Sequence, residues 1–291
     1  MAPLEDPSRI EVLSAAGGGR PLFIFPGMGG ELDIFAAFTA LLAGERPLYA
    51  LRLIGSLGEC EPVRDLRRLA ALYAADVRHR QSHGPYYLAG FSFGAIAAFE
   101  VARELQAQGE QVALVAMIDC PAPGYPKLPP AIVRLHSHIQ NFLALRPRER
   151  LGYLRDRLAH RFKVAREVAG VREPVVDTPE MSPTVRRVVS ALDEIYMRYV
   201  PAPLGVDVLF LSAASPPDWP ATAFDDPLMG WGSVLRGRIM QAQTPGSHLE
   251  IFQPGNVDVL AHHLRVAIAE VEGSADAPAR ESKFSPPMVQ A

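Results

Sequence analysis

The chain has 291 residues and a formal net charge of -3, and 48% of its residues are hydrophobic. This length allows one large domain with a buried core. The balanced charge excludes the basic surface typical of nucleic-acid binding. The two cysteines, Cys60 and Cys120, exclude a disulfide framework and are typical of reduced thiols. Because the chain shows neither a signal peptide nor an apolar run of about 20 residues, we expect a cytoplasmic protein without membrane association.

Short apolar runs alternate with helical patterns along the chain, which indicates parallel strands joined by crossover helices. The predicted elements, in chain order, are a strand at 21–25, an amphipathic helix at 32–42, a strand at 48–53, a helix at 64–81, a strand at 86–89, a helix at 93–108, a strand at 112–118, a helix at 185–199, strands at 206–211 and 238–243, and a helix at 257–271. The pattern predicts an α/β fold with a mostly parallel central sheet flanked by helices.

The alternation stops after the strand at 112–118. A Pro-rich stretch from Pro121 leads into a long helical region, from about 131 to 168, and we assign residues 121–203 as a helical insertion. Such insertions commonly lie over the carboxyl ends of the strands, where ligands bind. The domain is therefore expected to span residues 1–272, and the unpatterned segment 273–291 is expected to be disordered.

The segment from Gly90 to Gly94 reads G-x-S-x-G and lies between a predicted strand and a predicted helix. This context is typical of a nucleophile turn, in which the strained backbone exposes a serine hydroxyl at the start of the helix. Small residues at positions 90 and 94 let the strand and the helix approach closely. Ser92 is therefore the candidate nucleophile.

A serine nucleophile needs a base, and the base in turn needs a carboxylate. Among the eight histidines, His248 follows the last predicted strand, which is where this fold class carries its base. Asp119 ends the buried strand next to the nucleophile strand and is our first choice of carboxylate. The alternatives follow the next strand, at Asp218, Asp225 and Asp226.

The oxyanion formed during acyl transfer needs two N–H donors. We assign them to the backbone of Phe93, directly after the nucleophile, and of Met28, in the glycine-rich turn 26–30. This chemistry needs neither a metal ion nor a resident cofactor, and we predict none.

The motifs at 21–30, 84–94, 112–119, 145–154 and 246–250 resemble those of the thioesterase domains that end nonribosomal peptide and polyketide synthases. The resemblance covers about residues 20–271 and supports Asp119 as the carboxylate. This chain has Pro26 where many members have histidine, and Ser247 where aspartate is frequent. The resemblance implies an α/β-hydrolase with a helical lid that releases acyl or peptidyl chains from phosphopantetheine through an acyl-serine.

The resemblance also implies an acyl- or peptidyl-carrier protein as partner and a small-molecule acyl substrate. Basic residues in the insertion offer a docking surface for an acidic carrier, although such a run is more often a solvated helix face. They are Arg146, Arg148, Arg150, Arg155, Arg157, Arg161, Lys163 and Arg166.

Other functions use the same residues. A carboxylesterase or lipase would use the same triad, and an acyltransferase would pass the acyl group to an external amine or alcohol. A non-catalytic scaffold is disfavoured because it has no reason to retain Ser92, Asp119 and His248 together.

Overall fold

A computed structural model describes residues 9–125, 181–215 and 226–275 of the chain. These ranges form a seven-stranded sheet in the order β1-β3-β2-β4-β5-β6-β7. The strands are β1 (Ile10–Ser14), β2 (Leu22–Phe25), β3 (Leu48–Leu51), β4 (Tyr86–Phe91), β5 (Val112–Ile118), β6 (Val208–Ala213) and β7 (Ile239–Thr244). All pairings are parallel except that of β1 with β3. The structure confirms the predicted α/β architecture.

The helices divide between the two faces of this sheet. They are α1 (Ala36–Leu42), α2 (Leu66–Arg80), α3 (Phe93–Ala107), α4 (Pro183–Arg198) and α5 (Asn256–Ala275). Alternate strand residues pack with α2, α3 and α4 on one face, and the others pack with α1 and α5 on the opposite face. Side chains alternate across a strand, so a strand covered on both faces becomes apolar throughout, as in β2 and β5.

The end of the predicted insertion is anchored to the helix that follows Ser92. Helix α4 is capped by Ser182 and buries Val188, Leu192 and Ile195. Beyond α4, the two terminal nitrogens of Arg103 on α3 donate to the carbonyls of Ala202 and Pro203, at 2.6 and 3.0 Å. The chain thus re-enters the sheet in contact with α3.

The hydroxyl of Tyr199, which follows α4, donates to buried Glu100 of α3 at 2.7 Å. Burial, and then the nearby Glu100 charge, raise the pKa of Tyr199. The hydroxyl therefore stays protonated and serves as the donor.

The sequence did not predict strand β1, and α5 runs beyond its predicted end. β1 is short and half-buried, and it is held by antiparallel pairing to β3. Arg9, the residue before β1, forms a salt bridge with Asp76 of α2 at 2.6 Å, and both side chains are almost fully buried. Helix α5 continues to Ala275, past Val271 and into the segment that we expected to be disordered. Glu272 pairs with Arg46 at 3.3 Å, which gives this last turn a tertiary anchor.

Several predictions lie outside the described residues. These are the helical region at 131–168 with its basic side chains, Asp218 and Asp225, and most of the segment 273–291. In the ranges that are described, no helix combines the length and the apolar character needed to cross a bilayer.

Two glycines allow the backbone around Ser92 to pack without any space for a side chain. A Cβ atom on Gly90 would lie 2.1 Å from the carbonyl oxygen of Gly94. A Cβ atom on Gly94 would lie 2.1 Å from the carbonyl oxygen of Phe25, the last residue of β2. These contacts are with backbone atoms, which cannot rotate away.

We expect Gly94→Ala to lower the free energy of unfolding by about 3 kcal/mol or more, the upper range for overpacking. Gly205→Ala is the matched control, because a Cβ atom there would have no neighbour within 4 Å. Chemical denaturation of the two variants and the wild type measures the difference. Equal stability of the two variants would contradict the close packing described above.

Candidate active site

The Ser92 turn has the strained geometry expected of a nucleophile turn. Ser92 lies between β4 and α3 with φ 54° and ψ -125°, a region that non-glycine residues rarely adopt. Its N–H donates to the carbonyl of Ile118 on β5 at 2.9 Å, and its carbonyl accepts from the N–H of Ala95 at 3.0 Å. The backbone is therefore held on both sides of the strained residue.

The turn 26–30 lies directly beside Ser92. A Cβ atom on Gly27 would lie 3.6 Å from the Cβ of Ser92. The turn is closed by a hydrogen bond from the N–H of Gly30 to the carbonyl of Gly27 at 3.1 Å. Gly30 has φ +80°, which favours glycine at this position. Met28 thus belongs to the turn that contacts the serine, where the sequence placed an oxyanion donor.

Phe93, the other predicted donor, is the first residue of α3. The N–H groups of a first helical turn have no acceptor within their own helix. The helix dipole also favours negative charge at this end. The backbone N–H of Phe93 therefore suits the role of stabilising an oxyanion beside Ser92.

Asp119 and His248 are in direct contact, although 129 residues separate them. The Nδ1 atom of His248 lies 2.6 Å from Oδ2 of Asp119. The other carboxylate oxygen, Oδ1, accepts from the N–H of Ala213 at 2.8 Å. Both oxygens of this buried carboxylate are thus paired, as a buried charge requires. An ionised carboxylate only accepts, so a neutral imidazole in this contact has its proton on Nδ1 and leaves Nε2 as an acceptor.

Asp226, one of the alternative carboxylates, has a structural role. Its two oxygens accept from the N–H groups of Leu228 and Gly230 at 2.9 and 2.8 Å, which closes the turn before Trp231. The described residues therefore bring Asp119, and not Asp226, to His248.

The loop that carries His248 is fixed by Glu250. The N–H and the hydroxyl of Ser247 both donate to one carboxylate oxygen of Glu250 at 2.8 Å. These hydrogen bonds, first from the N–H and then from the hydroxyl, lower the pKa of Glu250. The side-chain amide of Asn256 donates to the carbonyl of Glu250 at 3.0 Å, which joins the loop to α5.

The structure adds side chains to the site that the sequence reading did not identify. The ring of Phe91 stacks on the imidazole of His248, with centroids 4.6 Å apart and an interplanar angle of 27°. Phe252 packs edge-on against Phe91, with centroids 5.1 Å apart. The sequence shows that Phe91 lies inside the G-x-S-x-G motif. It does not show that Phe91 contacts His248, which is far along the chain.

A model of the thioesterase domain family matches residues 20–133. This segment holds the turn 26–30, Ser92 and Asp119. Over this segment the chain is similar to the thioesterase domain family.

Curated relatives of this chain include a synthetase and a synthase. The chain is 38% identical over 118 residues to an atromentin synthetase of Paxillus involutus, an alignment that covers 40% of the chain and 12% of that protein. It is 45% identical over 105 residues to a microperfuranone synthase of Emericella nidulans, covering 36% of the chain and 11% of that protein. The matched segments are thus a small part of much longer relatives.

Solved structures of the same fold align with most of the chain. A thioesterase domain from the nocardicin cluster is 20% identical, with a TM-score of 0.61 over 90% of this chain and 99% of that one. A type II thioesterase from the borrelidin biosynthetic cluster is 21% identical, with a TM-score of 0.59 over 90% of this chain and 99% of that one. These structures confirm the α/β-hydrolase fold.

The hydrogen bonds from Ser247 to Glu250 predict that the stability of the loop carrying His248 depends on pH. A carboxylate with a lowered pKa stabilises the loop above its ordinary pKa, and this contribution is lost as the pH falls through the lowered value. We expect the Ser247 amide resonance to titrate with a midpoint below the ordinary glutamate pKa, and Glu250→Gln to abolish the titration. NMR spectra recorded from neutral to acidic pH measure the midpoint of this titration. A midpoint at the ordinary value would contradict the hydrogen bonding described.

Proposed function

We propose that this protein is a thioesterase that releases an acyl or peptidyl chain from the phosphopantetheine arm of a carrier protein, through an acyl-Ser92 intermediate. The proposal rests chiefly on the hydrogen bond between His248 and Asp119, at 2.6 Å. It fixes the tautomer in which Nε2 can take the proton of Ser92. The family match supports a thioester as the bond that is cleaved.

The reaction begins when Nε2 of His248 takes the proton of Ser92 and the serine oxygen attacks the thioester carbonyl. The backbone N–H groups of Met28 and Phe93 stabilise the oxyanion. The carbon–sulfur bond then breaks, and the pantetheine thiol leaves with the proton held by His248. This step gives an acyl-serine and a free thiol.

The second step removes the acyl group from Ser92. A water molecule, or a hydroxyl or amine within the acyl chain, gives its proton to His248 and attacks the ester carbonyl. The ester bond breaks and the proton returns to Ser92. Water gives a free acid, and an internal nucleophile gives a cyclic product.

The carrier partner is supported by the comparisons. The relatives named above are synthetases, and a similar fold with a TM-score of 0.63 occurs within a four-domain nonribosomal peptide synthetase. The chain covers only 20% of that structure, which carries further domains. Phosphopantetheine is then part of the substrate and not a resident cofactor of this chain.

Ser92→Ala is expected to abolish turnover of acyl-pantetheine thioesters and to prevent covalent acylation, with the fold intact. Intact-protein mass spectrometry and product analysis, on a panel of acyl chain lengths, measure both. Ser233→Ala, at an exposed serine, is the matched control and should keep wild-type turnover. Near-normal turnover by Ser92→Ala would refute the proposed mechanism.

Asp119→Asn is expected to lower kcat by about 10⁴-fold, because an asparagine favours the wrong imidazole tautomer. Asp218→Asn should keep turnover near wild type. Steady-state kinetics on the same thioester compares the two variants. If Asp218→Asn were the damaging change, Asp119 would not be the triad carboxylate.

The bond specificity requires a separate comparison, since a triad of this kind also cleaves oxygen esters. We expect thioesters to be hydrolysed with a higher kcat/KM than oxygen esters of the same acyl group. Faster turnover of the oxygen esters would indicate a carboxylesterase. Transfer to an added amine or alcohol in preference to water would indicate an acyltransferase.

A further inference from the structure

We propose that Phe91 is a positioning residue that fixes the plane of the His248 ring. The proposal deepens the function proposed above and rests on it. The single ring of Phe91 contacts both the candidate base and the candidate oxyanion turn.

Phe91 is buried and is the last residue of β4, directly before Ser92. One face of its ring stacks on His248 at a centroid distance of 4.6 Å. Its Cδ1 and Cε1 atoms also lie close to Gly27, at 3.3 and 3.5 Å from the position of a Cβ atom there. Phe91 therefore stacks on the candidate base and also lies close to the turn 26–30.

The hydrogen bond to Asp119 alone does not fix the orientation of the imidazole. It restrains Nδ1, and the ring can still tilt about the axis of that hydrogen bond. A flat contact on the ring face restricts this tilt, because tilting drives ring atoms into Phe91 or opens a gap beside it. With the edge held by Asp119 and the face held by Phe91, the Nε2 atom keeps one direction.

Phe91 also packs against Phe252, which lies in the turn between His248 and α5. The ring of Phe252 meets Phe91 edge-on at 5.1 Å and an angle of 87°. Phe252 also meets Phe35 and Phe38 edge-on, at 5.0 and 6.0 Å, which joins it to the α1 region. Edge-to-face packing of this kind is favourable between aromatic rings. The stack under His248 is thus continuous with the core.

The kinetic test compares Phe91→Leu, which removes the flat ring, with Phe91→Tyr, which retains it. On the acyl-pantetheine thioester that the wild type turns over fastest, Phe91→Leu should lower kcat by about 10- to 100-fold, as expected for a displaced catalytic group. KM should stay within about twofold, since substrate binding is not altered. Phe91→Tyr should restore kcat.

Phe38→Leu is the matched control. Phe38 is also buried and packs against Phe252, whereas the ring stacked on His248 is that of Phe91. Phe38→Leu should lower stability without lowering kcat. If Phe91→Leu does not fold, Phe252→Leu, which removes the ring behind Phe91, should lower kcat in the same direction by a smaller factor.

An NMR measurement separates this proposal from the proposed function. A ring that stacks on an aromatic face has its proton resonances moved upfield, and His248→Gln assigns the signal among the eight histidines. The upfield position should be present in the wild type, in Ser92→Ala, in Phe91→Tyr and in Phe38→Leu, and absent in Phe91→Leu. This readout does not require turnover.

Loss of the upfield position in Phe91→Leu, together with the selective fall in kcat, would support the proposal. An unmoved His248 resonance or an unchanged kcat in Phe91→Leu would overturn it, as would an equal fall in kcat in Phe38→Leu. A wild type that turns over no thioester, yet shows the upfield resonance, would refute the proposed function while retaining the position of the ring.

Discussion

The backbone contact among β2, β4 and the start of α3 sets the position of Ser92 and of the turn 26–30 beside it. At Gly90 and Gly94 these backbone segments approach so closely that a single methyl group would overlap backbone atoms. Because of this close approach, the turn 26–30 lies beside Ser92. The first N–H groups of α3 lie directly after Ser92 along the chain. Ser92 has a positive φ at this point, and its backbone is held by hydrogen bonds to Ile118 of β5 and Ala95 of α3.

The order of the strands brings together the candidate acid and base, Asp119 and His248. β5 is the neighbour of β4, and β6 is the neighbour of β5, so Asp119 and Ala213 meet at one edge of the sheet. The N–H of Ala213 occupies one oxygen of the buried carboxylate, and His248 occupies the other. Each partner limits the freedom of the carboxylate, and together they compensate for its removal from water.

Two further contacts connect the site to the rest of the fold. The ring of Phe91 joins His248 to the aromatic rings beneath α1 and α5. On the other face, Arg103 and Glu100 of α3 hold the segment that leaves α4. Helix α3 begins directly after Ser92, the candidate nucleophile, so the end of the predicted insertion is anchored to the helix that follows the Ser92 turn. The described part of the predicted insertion is therefore connected to the Ser92 turn through α3.

The sequence alone determined the features that depend on neighbouring residues. The apolar run at 112–118 predicts β5 with its observed ends, and the spacing of Gly90, Ser92 and Gly94 predicts the strained turn, because local sterics and strand burial are encoded within a few residues. Strand β1 escaped prediction since half-buried edge residues give a weak pattern. Only the tertiary structure decided which carboxylate meets His248 and which ring stacks on it. Those partners lie more than a hundred residues apart along the chain, and strand order and loop direction bring them together.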